Sequence, residues 1–435
     1  MKRNWFLIFF ILASLQLLAQ QPPFSLNQLL DSAVQNNYLI KSNEKNRLIK
    51  QSEIEILRNE YLPVVGASAS FSVWKFLLPN KQKLLGNTLT DMYTDITVSK
   101  TIYDWGENKM RRAVVEEEIK LNDELLRQIK NTIVLGVADT YFEALKSASE
   151  IETHRNSLKQ LNEQLKYAEN LYSIGKVSAV DVLKINVQIS QEEKNLAKSE
   201  SALMAQQIKL KRQSFISDET NIQIESVGKQ LFEDWKVQIV NIPALYDSTL
   251  TNHPTLLYSE GEAIIESTQK EVYRLQNRPY LYSYGIASWE HGYIPYYKNF
   301  NYNIGAGIRY TLPYWGGSSF KSKMLQSDYR IEQISDRKNQ AFIDIKKEID
   351  ITYNTLDDLK TEVTNQEKII RLARETLRNA EIKYQSGQGA IIDVLDAQSV
   401  LTESEIALSK SELGFLQAVA RLHYLTGNDN YPFSN

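Results

Sequence analysis

The chain has 435 residues, and its 50 Lys and Arg residues nearly balance its 53 Asp and Glu residues. This balance excludes the strongly basic surface that is typical of nucleic-acid-binding proteins, so no nucleic-acid partner is expected. The chain contains no cysteine, which excludes disulfide bonds, thiolate metal sites, a cysteine nucleophile and a lipid anchor on cysteine. With only 17 Gly and 10 Pro, most of the sequence favours long helices.

Residues 1–20 predict a secretory signal peptide. Lys2 and Arg3 precede an apolar segment that runs from Trp5 to Leu18. This segment has about 14 residues, fewer than the roughly 20 that a membrane-spanning helix needs, so we expect cleavage near Ala19. No later segment of the sequence is apolar over that length. A mature chain that spans a membrane must therefore do so with strands.

The rest of the sequence is duplicated, which indicates two structurally similar halves. Pro63 and Pro279 close similar segments that lie 216 residues apart. Three further matches follow in the same order at nearly the same spacing: 102–106 with 312–316, 171–175 with 383–387, and 181–183 with 393–395.

Each half predicts the same elements in the same order. The first half, 21–213, has a helix over about 24–60, a β-hairpin over about 64–103, and a long helical hairpin that turns at Gly175. The second half, 243–427, has a helix over about 243–277, a β-hairpin over about 280–312, and a long helical hairpin that turns at Gly387. Residues 214–242 form a linker between the halves, and 428–435 form a C-terminal tail.

The strands have one apolar and one polar side, over lengths that suit a tilted membrane strand. Ser68 and Ser70 alternate with Ala67, Ala69 and Phe71, and the last strand alternates in the same way. Four strands cannot close a barrel in lipid, where open edges are not tolerated, whereas three copies would supply twelve strands. Two soluble hairpins whose aromatic side chains pack a core would give the same alternation, and the strands alone do not decide between these readings.

The long helices carry the heptad spacing of a coiled-coil seam. Apolar residues recur at steps of three and four before each turn. They are Leu158, Leu161, Leu165, Ala168 and Tyr172 in the first half, and Ile370, Ala373, Leu377, Ala380 and Tyr384 in the second.

Residues 384–397 closely resemble the periplasmic-tip segment of the TolC family of outer-membrane efflux proteins. The turns at Trp105-Gly106 and Trp315-Gly316 resemble the strand-to-helix junctions of that family. The resemblance covers essentially all of the mature chain. It implies a mainly helical protein with membrane strands, in which three chains form a 12-stranded β-barrel continued by a long α-helical coiled-coil barrel.

The resemblance also implies a location and partners. The protein is expected in the outer membrane of a Gram-negative bacterium, in contact with its lipid, with most of its mass in the periplasm. A homotrimer would serve an inner-membrane pump through a periplasmic adaptor, or membrane fusion, protein. It would passively export small molecules, ions or proteins, as the outer channel of a tripartite efflux or type I secretion system.

By the same resemblance, Asp393 and Asp396 form carboxylate rings at the narrow periplasmic entrance, where they act as a gate and selectivity filter. Asp181 and Tyr384 would tie neighbouring helical hairpins together in the closed state. From the residues alone, Asp393 and Asp181 are acids that cap or charge-stabilise the returning helices, and Tyr384 is an ordinary seam residue. Gly389 stands where family members often carry a basic residue, so the charged latch between hairpins is in doubt.

No catalytic constellation, cofactor motif or metal-ligand spacing is recognisable, so neither an enzyme nor a cofactor is expected. The four histidines, including His154 and His253, are predicted to be surface or packing residues. The main alternative function is that of a periplasmic coiled-coil adaptor or structural protein with soluble hairpins.

Overall fold

A computed structural model describes residues 24–75, 88–220, 222, 224, 228–236, 242–291, 298–310, 319–429 and 431–433. The predicted signal peptide, both strand-hairpin tips and the predicted junction at Trp315 and Gly316 lie outside these residues. Among the described residues, no helix combines the length and the apolar character that crossing a membrane requires.

The elements of the two halves correspond one to one. The first half contains α1 (Leu26–Asn36), α2 (Tyr38–Asn59), β1 (Val64–Lys75), β2 (Thr88–Tyr103), α3 (Glu107–Ser173) and α4 (Ala179–Gln213). A short helix, α5 (Gly228–Trp235), follows. The second half contains α6 (Ile242–Asn252), α7 (Pro254–Gln276), β3 (Tyr280–His291), β4 (Lys298–Arg309), α8 (Ser319–Gln385) and α9 (Ile391–Leu425). Both long helices have 67 residues, which corresponds to about 100 Å at 1.5 Å per residue.

The single helix predicted at the start of each half is instead two helices. Asn37 has an extended backbone, and its side chain accepts hydrogen bonds from the backbone N–H groups of Leu39 (2.8 Å) and Ile40 (3.4 Å). In the second half the break falls at His253, because a residue before proline is disfavoured in a helix and Pro254 suits a first helical position. The prediction of one continuous helix was therefore wrong at both places.

The chain divides into two compact units. One is formed by residues up to Lys41, by Arg127–His253 and by residues from Ile343 onward, and the other by Ser42–Leu126 and Pro254–Phe342. We call them the tip unit and the sheet unit, after the helical turns and the strands that they contain.

The sheet unit contains one antiparallel sheet with the strand order β1-β2-β3-β4. Its register places the alternating apolar residues of all four strands on one face, because Ala67 pairs with Ile96, Ile96 with Ala287 and Ala287 with Tyr302. The opposite face carries the polar row of Ser68, Asp95, Ser288 and Asn301. The alternation predicted from the sequence therefore gives one apolar and one polar face.

Two glycines of β4 make room for tyrosines on the polar face. Tyr284 is paired with Gly305, and Tyr282 with Gly307. A Cβ atom on either glycine would lie 2.8 Å from the facing ring or its hydroxyl. The tyrosine rings therefore cover bare backbone, an arrangement that stabilises glycine-containing strands at a sheet edge.

The tip unit has a separate apolar core around α3 and α9. Tyr141 and Phe142 of α3 and Leu416 of α9 are fully buried there. The C-terminal tail belongs to this core, because the ring of Phe433 packs edge-on against Phe142 and Trp235 at 5.5 and 5.4 Å.

The end of α9 packs tightly against the break between α6 and α7. Arg127 donates hydrogen bonds to the carboxylate of Asp429 (2.7 Å) and to the carbonyl of Gly427 (2.9 Å). His253 is buried beside this arginine, and burial, followed by the arginine charge, lowers the pKa of His253 from 6.5 to about 4. The imidazole is therefore neutral in the folded protein at neutral pH.

We predict that acid destabilises the tip unit through His253. The unfolded chain takes up a proton near pH 6.5 but the folded chain only near pH 4, so stability is lost as the pH falls between these values. His253→Asn introduces the residue found at the equivalent Asn37. Thermal unfolding followed by circular dichroism at pH 7.5, 6, 5 and 4 should show a smaller loss in this variant than in the wild type. Equal losses in both proteins would contradict the prediction.

Candidate functional site

The two helical hairpins end in similar turns. Gly175 and Gly387 have φ angles of +73° and +75°, in the left-handed region that glycine favours. The N–H of Lys176 donates to the carbonyl of Leu171, and the N–H of Gln388 to that of Lys383, both at 2.9 Å. These are the hydrogen bonds of a helix that stops at a left-handed glycine, and they place both glycines at the turns.

The ends of the four hairpin helices, α3, α4, α8 and α9, share one apolar cluster. Tyr384 is 6% exposed, whereas Tyr172, its equivalent in the first hairpin, is 52% exposed. The heptad spacing predicted Tyr172 on the seam, but its side chain is largely exposed, so this seam position is buried only in the second hairpin. The buried members of the cluster are Leu161, Ala168, Ile185, Ile189, Ile370, Ala373, Leu377, Tyr384, Ile391, Val394, Leu395, Ala397 and Leu401.

The two acids that begin the returning helices differ in their bonding. In α4, the N–H of Asp181 donates to the Ser178 hydroxyl at 3.3 Å, and the N–H of Ser178 donates to the Asp181 carboxylate at 3.4 Å. This reciprocal pair is a capping box. In α9 the capping position is Ala390, which has no side-chain hydrogen-bond acceptor, so Asp393 is not held in this way.

Asp393 and Asp396 are both exposed, beside the buried Val394, Leu395 and Ala397. Within the described part of the chain, no hydrogen bond or ion pair holds either carboxylate. Two unpaired acids one helical turn apart thus face away from the cluster of their own chain.

Tyr384 and Asp181 come close together although they lie on different hairpins. The Tyr384 hydroxyl is buried and has no hydrogen-bond partner among the described residues. Burial and the nearby Asp181 charge both raise the pKa of Tyr384. Tyr167 also links the hairpins, because its hydroxyl donates to the backbone carbonyl of Gln385 at 3.4 Å.

Gly389 is required by the tight turn of the second hairpin. Its N–H donates to the Lys383 carbonyl at 3.1 Å. An added Cβ would lie 2.9 Å from the Lys383 Cβ and 3.1 Å from the Tyr384 backbone nitrogen. A basic side chain at this position would therefore need a different turn.

The junction between β2 and α3 has two consecutive left-handed residues, Trp105 at φ +60° and Gly106 at φ +87°. The Asp104 carboxylate stabilises it by accepting the N–H groups of Gly106 (3.0 Å) and Asn108 (2.8 Å). The Trp105 indole N–H donates to the carbonyl of Pro279 at 2.5 Å. Trp105 thus fixes the start of the long helix against the start of β3.

The sequence interpretation missed a buried polar layer in the helical seam. The Nδ1 atom of His154 lies 2.9 Å from the Glu192 carboxylate, and both side chains are nearly fully buried. In the same region the Thr402 hydroxyl donates to that of Ser157 at 3.2 Å. The heptad could have indicated this layer, since His154 lies seven residues before Leu161 of the seam.

Comparison with known proteins gives a consistent result. The model of the outer membrane efflux protein family matches residues 29–213 and 282–428. The chain belongs to the outer membrane efflux protein family. This efflux protein is accordingly an outer-membrane transport protein, as the sequence interpretation expected.

Individual relatives of this efflux protein are distant but cover most of the chain. The pyoverdine export outer membrane protein OpmQ of Pseudomonas aeruginosa is 20% identical over 80% of this chain and 75% of its own length. Outer membrane protein TolC of Escherichia coli is 19% identical over 90% and 80%. The crystal structure of CusC matches the fold with a TM-score of 0.79 at 17% identity over 92% of both chains. The Campylobacter jejuni CmeC outer membrane channel has a TM-score of 0.75 at 14% identity, over 94% and 87%.

We predict that Gly389→Ala loosens the second tip. The added methyl group overlaps the backbone before it, and such overpacking costs about 1–3 kcal/mol. Hydrogen exchange at residues 383–391 should speed up, while Gln388→Ala, one residue earlier, should leave exchange unchanged. Unchanged exchange in Gly389→Ala would show that the turn accepts a side chain.

Proposed function

We propose that three copies of the chain form one continuous export channel, with the strands in the outer membrane and the helical tips as its periplasmic entrance. The observation that carries this proposal is the sheet. Most of its large aliphatic side chains lie on one face and are exposed in the single chain, as are the rings of Phe71 (69%) and Tyr302 (77%) and the side chain of Ile304 (82%) on that face. A soluble adaptor would leave this face in water, whereas lipid covers it.

The open edges of the sheet unit support a ring of copies. The sheet is open at β1 and at β4. The helices of this unit lie side by side in the order α2, α3, α7 and α8, which matches the order of the strands. Ion pairs join the outer helices to the inner ones: Lys50 of α2 contacts Glu118 of α3 (2.7 Å), and Arg330 of α8 contacts Glu266 of α7 (3.4 Å). Gly261 of α7 also packs closely against α3.

The outer helices α2 and α8 are therefore at the same two ends as β1 and β4. Both carry exposed apolar residues, among them Ile49 (62%) and Ile56 (62%) on α2 and Leu325 (51%) and Tyr329 (61%) on α8. We infer that β4 and α8 of one copy pair with β1 and α2 of the next. Three copies then give a barrel of 12 strands, enough to close in lipid.

The entrance is proposed to be gated by Asp393 and Asp396. Three copies would bring six unpaired carboxylates to one axis, where they favour cations over anions and bind divalent cations. Tyr384 and Asp181 would hold the two hairpins together in the closed state. The capping box gives Asp181 a second, structural role, whereas Asp393 has no capping box and only its position in the first turn of α9 favours a structural role.

The partners and cargo are inferred from relatives. Two relatives are named for pyoverdine export and for alkaline protease secretion, so both small molecules and proteins are reasonable cargo classes. We propose that a periplasmic adaptor and an inner-membrane pump deliver the cargo, and that the chain performs no catalysis.

We predict that Ile49→Asp/Ile56→Asp prevents trimer assembly, because it buries two charges in the proposed contact. Gln51→Asp, on another face of α2, is the control. Light scattering of detergent-solubilised protein should give monomers for the double variant and trimers for the control. Trimers of normal thermal stability in the double variant would place the contact elsewhere.

We predict that Asp393→Asn/Asp396→Asn abolishes cation preference and block by millimolar divalent cations in planar-bilayer recordings. The control Glu375→Gln/Glu403→Gln removes two carboxylates elsewhere on α8 and α9. Unchanged selectivity in the first variant would move the constriction elsewhere. No conductance at all from well-folded trimers would contradict the export function.

A further inference from the structure

The two shorter hairpin helices end differently. The residue after the C-cap is Phe215 in the first half and Gly427 in the second, with φ angles of +55° and +68°. At both ends the following N–H closes the helix, from Ile216 to Lys211 at 3.0 Å and from Asn428 to His423 at 3.2 Å. Glycine is the usual residue at this position, and phenylalanine is strained there.

Gly427 is explained by its surroundings, because an added Cβ would lie 2.5 Å from the carbonyl oxygen of Asn252. The Phe215 ring packs edge-on against Tyr38, with 5.5 Å between ring centres. Both rings remain exposed, Phe215 by 38% and Tyr38 by 74%. The strain thus maintains an exposed aromatic pair in the first half alone.

The aromatic pair forms part of a pocket of about 590 Å³ with a cationic rim. Lys41 lies 6.0 Å from the centre of the Tyr38 ring, and Lys211 and Arg212 also line the pocket. Among the described lining residues no acid is present. Asp218, just outside, contacts two of these cations, because its carboxylate pairs with Arg212 and its carbonyl accepts a hydrogen bond from Lys211, both at 3.0 Å. The pocket therefore carries an excess of positive charge around an apolar surface.

We propose that this pocket binds an acidic peptide segment with one hydrophobic side chain, contributed by a partner protein of the cell envelope. The hydrophobic side chain would pack on Phe215 and Tyr38, and the carboxylates would pair with Lys41, Lys211 and Arg212. Aromatic residues and arginine are the residues that most often anchor protein interfaces. The charge of the rim selects an anionic partner and excludes cationic ones.

The test uses the full mature protein in detergent and fluorescein-labelled peptides with four Glu residues around a central Phe or Ala. Fluorescence anisotropy should give at least tenfold tighter binding for the Phe peptide. Phe215→Gly should remove this difference while keeping the fold, since glycine suits the left-handed backbone. Lys41→Glu/Arg212→Glu should weaken both peptides at least tenfold, whereas Lys194→Glu, on an exposed face of α4, should leave binding unchanged.

Three results would overturn the proposal. The first is equal affinity of the wild type for the two peptides. The second is a loss of peptide affinity in Lys194→Glu as large as that in Lys41→Glu/Arg212→Glu. The third is a Phe215→Cys protein that folds and assembles but does not react with maleimide, which would mean that a second copy of the chain covers the pocket. If Phe215→Gly does not fold, Phe215→Asn replaces it, because asparagine also tolerates the left-handed region. None of these readouts requires channel conductance, so the proposal can fail independently of the export function.

Discussion

The sheet cannot satisfy itself within one chain, and the rest of the assembly depends on that constraint. Its two outer strands expose unpaired backbone groups, and each such group costs several kcal/mol in lipid. Its apolar face is equally unsatisfied in water. Because α2 and α8 stand at the same ends as the open strands, one neighbouring copy can satisfy both the strand and the helix at each end. In the proposed trimer, closure of the sheet and closure of the helical layer are therefore one event.

The duplication gives the two halves the same backbone architecture but different side chains at equivalent positions. The long helices have equal lengths and the turn glycines have nearly equal φ angles. The side chains at equivalent positions differ, because Ser178 caps its helix and Ala390 cannot. The six helical hairpins around the axis of a trimer would therefore alternate between those of the first half and those of the second. The two halves share one backbone plan, but their side-chain differences leave Asp393 without a cap in the second half and expose the aromatic pair in the first.

The sequence was sufficient for features that depend on local pattern. Strand alternation, the turn glycines and the duplicated order follow from residue type and spacing, and the register brings the apolar sides onto one face. The breaks at Asn37 and His253 were missed, because an apolar pattern continues across them while a side-chain cap or a following proline decides the backbone. The exposure of Tyr172 was missed for another reason. Heptad spacing identifies a face of a helix but not the partner that covers it.

The pairing of His154 with Glu192 required knowledge of the helix register, since the two residues are 38 positions apart on opposite arms of the hairpin. Their burial also bears on movement at the tips. An apolar seam keeps its contacts when helices shift slightly, whereas a buried polar pair loses its partner and is strongly destabilised. Polar residues at seam positions accordingly fix helix register at a cost in stability. The section between this layer and the turns at Gly175 and Gly387 is held mainly by apolar packing, and the second tip lacks a side-chain cap. If the entrance opens by movement of helices, we expect that section to shift at a lower cost than the His154–Glu192 layer.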